Sequence, residues 1–260
     1  MFKQFSIIPL LLLASMLVGC GAFDEKPDIT RNWSVQRLYS EAKGAMASGD
    51  FETAIDYYEK LESRFPFGRY AEQSQIDVAY AYWKDEEFAS AIAAADRFIK
   101  LHPRHPNVDY AYYLKGMVNF EQGASFMDRI VPKDRSQRDP GAVRDAFNDF
   151  SSLVERFPQS RYSEDARQRM TYLKNLLAQH EVHVADYYVR RGAYVAASNR
   201  ARYVVENFQG APAVPEALAI MAKVYKLMDL DELSADALRV LKMNYPDHPG
   251  IGEVAAIEKN

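Results

Sequence analysis

The stretch Leu38-x3-Ala42-x2-Ala45-x3-Gly49-x-Phe51-x2-Ala54-x3-Tyr58-x2-Leu61-x4-Pro66 decides the fold, because it recurs. Moved on by 37 residues, it reads Gln75, Ala79, Tyr82, Glu86, Phe88, Ala91, Ala95, Phe98 and Pro103. The frame runs on from Ala79 to Gly116 and from Glu86 to Gly123, breaks, and resumes at Ala146, Phe150, Leu153 and Pro158, so the third unit is longer by 18 residues. A fourth unit holds Ala185, Tyr188, Gly192, Tyr194, Ala197, Ala201 and Val204; a fifth holds Ala222, Tyr225, Asp229, Ser234, Leu238, Leu241 and Pro246. Small residues at 42, 79, 116, 185 and 222, and at 54, 91, 146, 197 and 234, let helix axes approach. Gly, Asp or Glu at 49, 86, 123, 192 and 229 marks a turn within each unit, and Pro66, Pro103, Pro158 and Pro246 end a helix because proline cannot continue one.

This spacing resembles the tetratricopeptide repeat and predicts an all-α solenoid of about five helix pairs. Units one to three occupy residues 33–158, with an insertion at 124–141, and units four and five occupy 159–250, followed by a tail at 251–260. From Ser160 to Val189 the apolar positions continue without a break, which predicts one unusually long helix. The insertion begins with Phe126, Met127, Ile130 and Val131 and is expected to pack over the concave face of the array.

Residues 1–19 read as an export signal: one Lys at position 3, a short apolar run and small residues at its end. The run closes on Leu17-Val18-Gly19-Cys20, which resembles the bacterial lipobox. Cys20 is the chain's only cysteine and so has no internal disulfide partner; acylation accounts for it, the plainer alternative being a secreted chain with an incidental thiol. Residues 20–32 have no periodicity and read as a lipid-anchored tether, and Gly21 after the cysteine points, by the same resemblance, to the outer membrane.

With 48% hydrophobic and 26% charged residues the chain has the makings of a folded body, and a net charge of −4 gives no electrostatic footprint for nucleic acid. Neither a phosphate-binding glycine loop nor a Gly-x-Ser-x-Gly elbow is present, so no catalytic residue, cofactor or metal is expected. His180-Glu-Val-His183 places two imidazoles on one helix face, which is half a metal site at most.

Positions one residue after the packing contacts predict the lining of a binding groove on the first helices: Tyr39, Lys43 and Met46, then Ile76, Tyr80 and Trp83, then Tyr113, Met117 and Phe120. The alternative is that some of them enter the next unit's core. Residues 156–202 are net positive, and Arg190, Arg191, Arg200 and Arg202 are the residues expected to meet an acidic partner; a merely solvated face is the other reading.

Several motifs in order make the chain similar, from Pro27 to Pro249, to the BamD (ComL) family of lipoproteins of the outer-membrane β-barrel assembly machine. They are Gly49-Asp-Phe-x-x-Ala-Ile-x-x-Tyr58, Glu62-Ser-Arg-Phe-Pro-Phe-Gly68, the His102-Pro run, Tyr112-Tyr-Leu-Lys-Gly116, Asp134-Arg-x3-Asp139, Phe157-Pro-x-Ser-x-Tyr162 and Tyr187-Tyr-x-x-Arg191-Gly-Ala-Tyr194. The resemblance implies a rod anchored on the periplasmic face of the outer membrane. Its C-terminal repeats would dock a BamA-like barrel insertase beside other assembly-machine lipoproteins, and its N-terminal repeats would receive unfolded outer-membrane proteins by their aromatic C-terminal strand. Within scaffolds the competing reading is a secretin pilotin. A cell-wall hydrolase would need a convergent polar site that the sequence lacks.

Overall fold

The computed structural model describes residues 28–122, 136 and 139–257; the export signal, Cys20, most of the tether and most of the insertion lie outside them. Eleven helices are found among the described residues. Five antiparallel pairs follow one another: α1 (Val35–Ser48) with α2 (Phe51–Arg64), α3 (Arg69–Lys84) with α4 (Phe88–Leu101), α5 (Val108–Gln122) with α6 (Gly141–Arg156), α7 (Ser163–Arg190) with α8 (Tyr194–Asn207), and α9 (Val214–Leu227) with α10 (Asp231–Asn244). The short α11 (Gly250–Ala255) packs on α9 and buries Val254 against Ala222, so the start of the expected tail is a cap on the last unit.

The small residues sit where the spacing places them. Ala42, Ala79, Ala185 and Ala222 on the first helices and Ala54, Ala91, Ala146 and Ala197 on the second are fully buried. Leu61, Phe98, Leu153, Val204 and Leu241 hold one register position in all five units, and each is fully buried too. Removing five large apolar side chains from water stabilises the array by about 1.5–3 kcal/mol each, before the entropy of ordering is set against it.

In the four units whose inner turn lies among the described residues, that turn is one motif repeated. Gly49, Glu86, Gly192 and Asp229 have φ of 82°, 63°, 73° and 61°, in the left-handed region. The N–H that follows each of them (Asp50, Glu87, Ala193, Leu230) donates at 2.9 Å to the carbonyl five residues back, satisfying a helix end that would otherwise be orphaned. Gly192 has nothing within 4 Å of where a Cβ would stand, so a side chain there costs backbone strain alone. Gly192→Val should lower stability by about 1–2 kcal/mol, whereas Glu86→Gly, which relieves a similar strain, should leave it unchanged or raise it by up to about 1 kcal/mol. Urea midpoints measured at constant m-value check both, and a loss on Glu86→Gly would contradict the account.

Second helices end on Phe65, His102, Phe157, Phe208 and Tyr245, at φ from −118° to −141°, and four of the five precede proline, which keeps its predecessor out of the helical region. The long helix runs over 28 residues, roughly 42 Å, from Ser163. It starts three residues later than the apolar pattern because Ser160–Tyr162 turn: the Ser163 N–H donates to the Ser160 carbonyl at 3.0 Å and its hydroxyl to the Phe157 carbonyl at 2.7 Å. Its N-terminal half packs with α6 and its C-terminal half with α8, so units three and four share one stiff element.

Candidate interaction surfaces

Consecutive first helices touch, α1 on α3, α3 on α5 and α7 on α9, and second helices make no comparable approach among the described residues. Elements on the inside of a curved stack lie closer together, so the first helices line its concave side.

The aromatic residues on that side bridge one first helix to the next. The Tyr39 hydroxyl donates to Asp77 Oδ2 at 2.9 Å, while Gln73 Nε2 donates to the other oxygen at 2.9 Å. Burial, with the Asp77 charge beside it, pushes the Tyr39 hydroxyl above the ordinary tyrosine range, so it stays a donor. Thirty-eight residues is also the step from Trp83 to Glu121, whose Oε2 accepts from the indole Nε1 at 2.8 Å. Tyr80 meets Trp83 edge-on at 5.6 Å, and Lys84 Nζ stands 4.7 Å over the Trp83 ring and 5.9 Å over Tyr80. In the third unit Tyr113 stacks on Tyr162 at 4.8 Å and donates to Asp165 Oδ2 at 2.7 Å. Phe120 lies 5.9 Å from Tyr172 and beneath Arg169 at 5.0 Å. Burial pushes the Asp165 carboxyl up, but bonds from Arg169 and Tyr113 outweigh it and hold the carboxyl below the usual range.

Eight of the nine predicted groove positions keep part of their surface: Lys43 is exposed, and Tyr39, Met46, Tyr80, Trp83, Tyr113, Met117 and Phe120 are half-buried. Ile76 is a correction. It is 1% exposed and packs with Phe98, Val108 and Ala111, so it belongs to the core.

The four arginines do not form one band. Arg200 donates to Oε2 of the nearly buried Glu181 at 3.1 Å, on the α7 side of α8, while Arg202 donates to the Tyr225 hydroxyl at 2.8 Å, on the α9 side. Positions i and i+2 of a helix lie about 200° apart, which separates them. Arg190 pairs with Asp186 and Arg191 is exposed at the α7–α8 turn. Phe147 of α6, Leu177 of α7 and Tyr203 and Phe208 at the end of α8 line a cleft of about 290 Å³ together with Arg144 and Lys174; sequence periodicity gives no signal for it, since its lining comes from three helices of two units. His180 Nδ1 donates to the Ser136 carbonyl at 2.7 Å, which attaches one buried residue of the insertion to α7. His180 and His183 line a shallow cleft of about 370 Å³ with Asp186, Tyr187 and Arg190, and among the described residues no three His, Cys, Asp or Glu side chains converge on a metal position.

Comparison with known proteins identifies the chain's family. A family profile described as outer membrane lipoprotein matches residues 31–241. The outer membrane protein assembly factor BamD of Neisseria meningitidis serogroup B is 46% identical over 249 residues, covering 96% of this chain and 93% of that protein. The chain belongs to the BamD family. BamD of Vibrio cholerae serotype O1 is 38% identical over 234 residues, covering 90% of this chain and 96% of its own length. Among solved structures, a tetratricopeptide repeat protein from Parabacteroides merdae overlays 85% of this chain and 72% of its own, at TM-score 0.41 and 12% identity. As a BamD-family protein the chain is an outer-membrane assembly lipoprotein, and that assignment leaves the pilotin reading without support.

Proposed function

We propose that the chain is a non-catalytic scaffold, acylated at Cys20 on the periplasmic face of the outer membrane. In this reading the concave face of units one to three receives the aromatic C-terminal strand of unfolded outer-membrane proteins, and units four and five hold a BamA-like barrel insertase. The observation that carries it is the row of half-buried aromatic and thioether side chains on consecutive first helices, Tyr39, Tyr80, Trp83, Met117 and Phe120, with Lys43 exposed and Lys84 over Trp83. Half-buried rings offer rigid apolar area at little entropic cost, and the two ammonium groups suit the carboxylate that ends such a strand. No helix among the described residues is long and apolar enough to cross a membrane; Cys20 is the proposed attachment because it closes the lipobox-like Leu17-Val18-Gly19-Cys20.

For the C-terminal half, Arg200 and Arg202 support an acidic partner face, but through separate surfaces. Arg200→Glu places a negative charge beside nearly buried Glu181, so reversal there should release the partner and loosen the α7–α8 contact together, whereas Arg202→Glu, at the Tyr225 hydroxyl, should act on binding with less effect on stability. Mild-detergent pull-down from source membranes, with the bound chains identified, tests the whole reading. Full retention of a barrel insertase by both variants at moderate salt would remove this docking site, and recovery of a secretin in its place would revive the pilotin.

A further inference from the structure

Because the helices alternate in direction, the connections fall on two opposite edges of the rod. The turns at Gly49 and Glu86 share one edge; the start of α1 and the loops after α2, α4 and α6 share the other. The second edge is tied together across units. Arg64, at the end of α2, donates to the Thr30 carbonyl at 2.7 Å and pairs with Asp28; Asn107 Nδ2 donates to Gln73 Oε1 at 3.3 Å; Ser160 Oγ donates to Asp109 Oδ2 at 2.6 Å. Asp28 therefore enters the fold at this edge. Only residues 21–27 separate it from Cys20, a span of at most about 30 Å when fully extended.

The two edges of units one and two differ in chemistry. On the tether edge Phe67 is 91% exposed, Ile29 73% and Leu101 56%, and exposed Arg31, Arg69 and Arg104 stand among them. Two carboxylates there are engaged, Asp28 by Arg64 and by Lys60 at 3.7 Å and Asp109 by Ser160, and Glu72 has the His105 ring 3.9 Å away. The turn edge carries exposed Asp50, Asp85, Glu86 and Glu87 beside Lys84.

We propose that the tether edge of units one and two rests on the membrane surface, with Phe67, Ile29 and Leu101 in the interfacial layer and Arg31, Arg69 and Arg104 on anionic lipid phosphates. This rests on the reading of Cys20 as acylated, and it adds an orientation to the anchor. Exposed apolar side chains enter the headgroup boundary, arginines gain from an anionic surface, and an acidic edge is repelled by it. A lipid anchor alone would let the rod tumble; a second contact at this edge turns the acidic turns toward the periplasm and, because the helices run from edge to edge, stands the concave face upright on the membrane.

The test uses the acylated full chain in vesicles of phosphatidylethanolamine and phosphatidylglycerol. Acylation occupies the sulfur of the only native cysteine, so Phe67→Cys, Leu101→Cys or the turn-edge control Asp85→Cys supplies the single thiol for a nitroxide label. All three positions are exposed, and an unchanged helical circular dichroism spectrum verifies each fold. Labels at 67 and 101 should lose several-fold in accessibility to a water-soluble nickel relaxer on vesicle binding and gain it toward oxygen, with position 85 unchanged; phosphatidylcholine in place of phosphatidylglycerol should weaken the effect. If the protein floats with the vesicles while labels at 67 and 101 stay as water-accessible as at 85, the edge contact is wrong and the anchor stands. A chain that does not float sinks both. Protection in native membranes but not in pure lipid assigns the edge to a protein partner and overturns the lipid assignment.

Discussion

Phe150→Ala should lower the unfolding free energy by about 3–5 kcal/mol, and Gly116→Ala by about 1–2 kcal/mol, yet the two losses should not add. Phe150 on α6 is fully buried, and its ring lies against the bare backbone of Gly116 on α5. A Cβ at 116 would stand 2.5 Å from Cε1, 2.6 Å from Cδ1 and 2.9 Å from Cζ. Such distances require the ring to move, and a ring with no exposed surface, 6.0 Å from the Tyr113 ring, can only press on its neighbours. Overpacking of this kind costs about 1–3 kcal/mol, and the better helix propensity of alanine returns up to about 1 kcal/mol of it. In the double variant the added methyl group enters space that the ring has vacated. Its stability should therefore match or exceed that of Phe150→Ala alone. Urea unfolding at constant m-value measures all three, with about 2–4 °C in Tm for each kcal/mol as an independent scale. Strict additivity would mean that Gly116 is not there to seat the ring. The pair joins helices that flank the insertion, so it also measures how much the third unit depends on side chains the interruption leaves in register.

How much of this could be read in advance depends on whether a property belongs to one register position or to two distant ones. The helix pairs, the turns and the long α7 were legible because small residues, prolines and turn residues act through local backbone geometry, and Gly49, Glu86, Gly192 and Asp229 take one conformation with three different side chains. Ile76 shows the limit. It shares its register with Tyr39 and Tyr113, but a register fixes only where a side chain begins; tyrosine is long enough to bring its hydroxyl out to a carboxylate, and isoleucine ends inside the seam among Phe98, Val108 and Ala111. Arg200 and Arg202 look adjacent in sequence and serve different neighbours because the helix turns between them. The carboxylates that anchor Tyr39 and Trp83, and the Ser136 contact of His180, lie 38 to 44 residues away and carry no local signature. The difference between the two edges is likewise written into the sequence, but it becomes visible only when the direction of each helix is known.

Trp83→Ala should weaken binding of a peptide ending in an aromatic residue by about 10- to 100-fold, equivalent to roughly 1.4–2.7 kcal/mol, while the helical circular dichroism signal stays largely unchanged. Tryptophan supplies the largest rigid contact area of any side chain, and this one sits at the middle of the three first helices, edge-on to Tyr80 and under Lys84. Its indole is held by Glu121 on the next first helix, α5, so truncation removes both a contact surface and a link between units two and three. Two further variants separate these roles. Trp83→Phe keeps an aromatic face and loses the donor; Glu121→Gln keeps an acceptor for the indole and loses the charge. If the ring itself makes the contact, Trp83→Phe should retain most of the affinity and Glu121→Gln nearly all of it. If both weaken binding as much as Trp83→Ala, the hydrogen bond that sets the spacing of α3 and α5 is what the peptide senses. Fluorescence anisotropy of a labelled peptide distinguishes the two, and wild-type affinity in Trp83→Ala and in Tyr80→Ala alike would move the binding surface off the concave face. Such a result would leave the aromatic row with a purely structural task, since the bonds from Tyr39 to Asp77 and from Trp83 to Glu121 already suffice to explain why rings, and not aliphatic chains, stand at those positions.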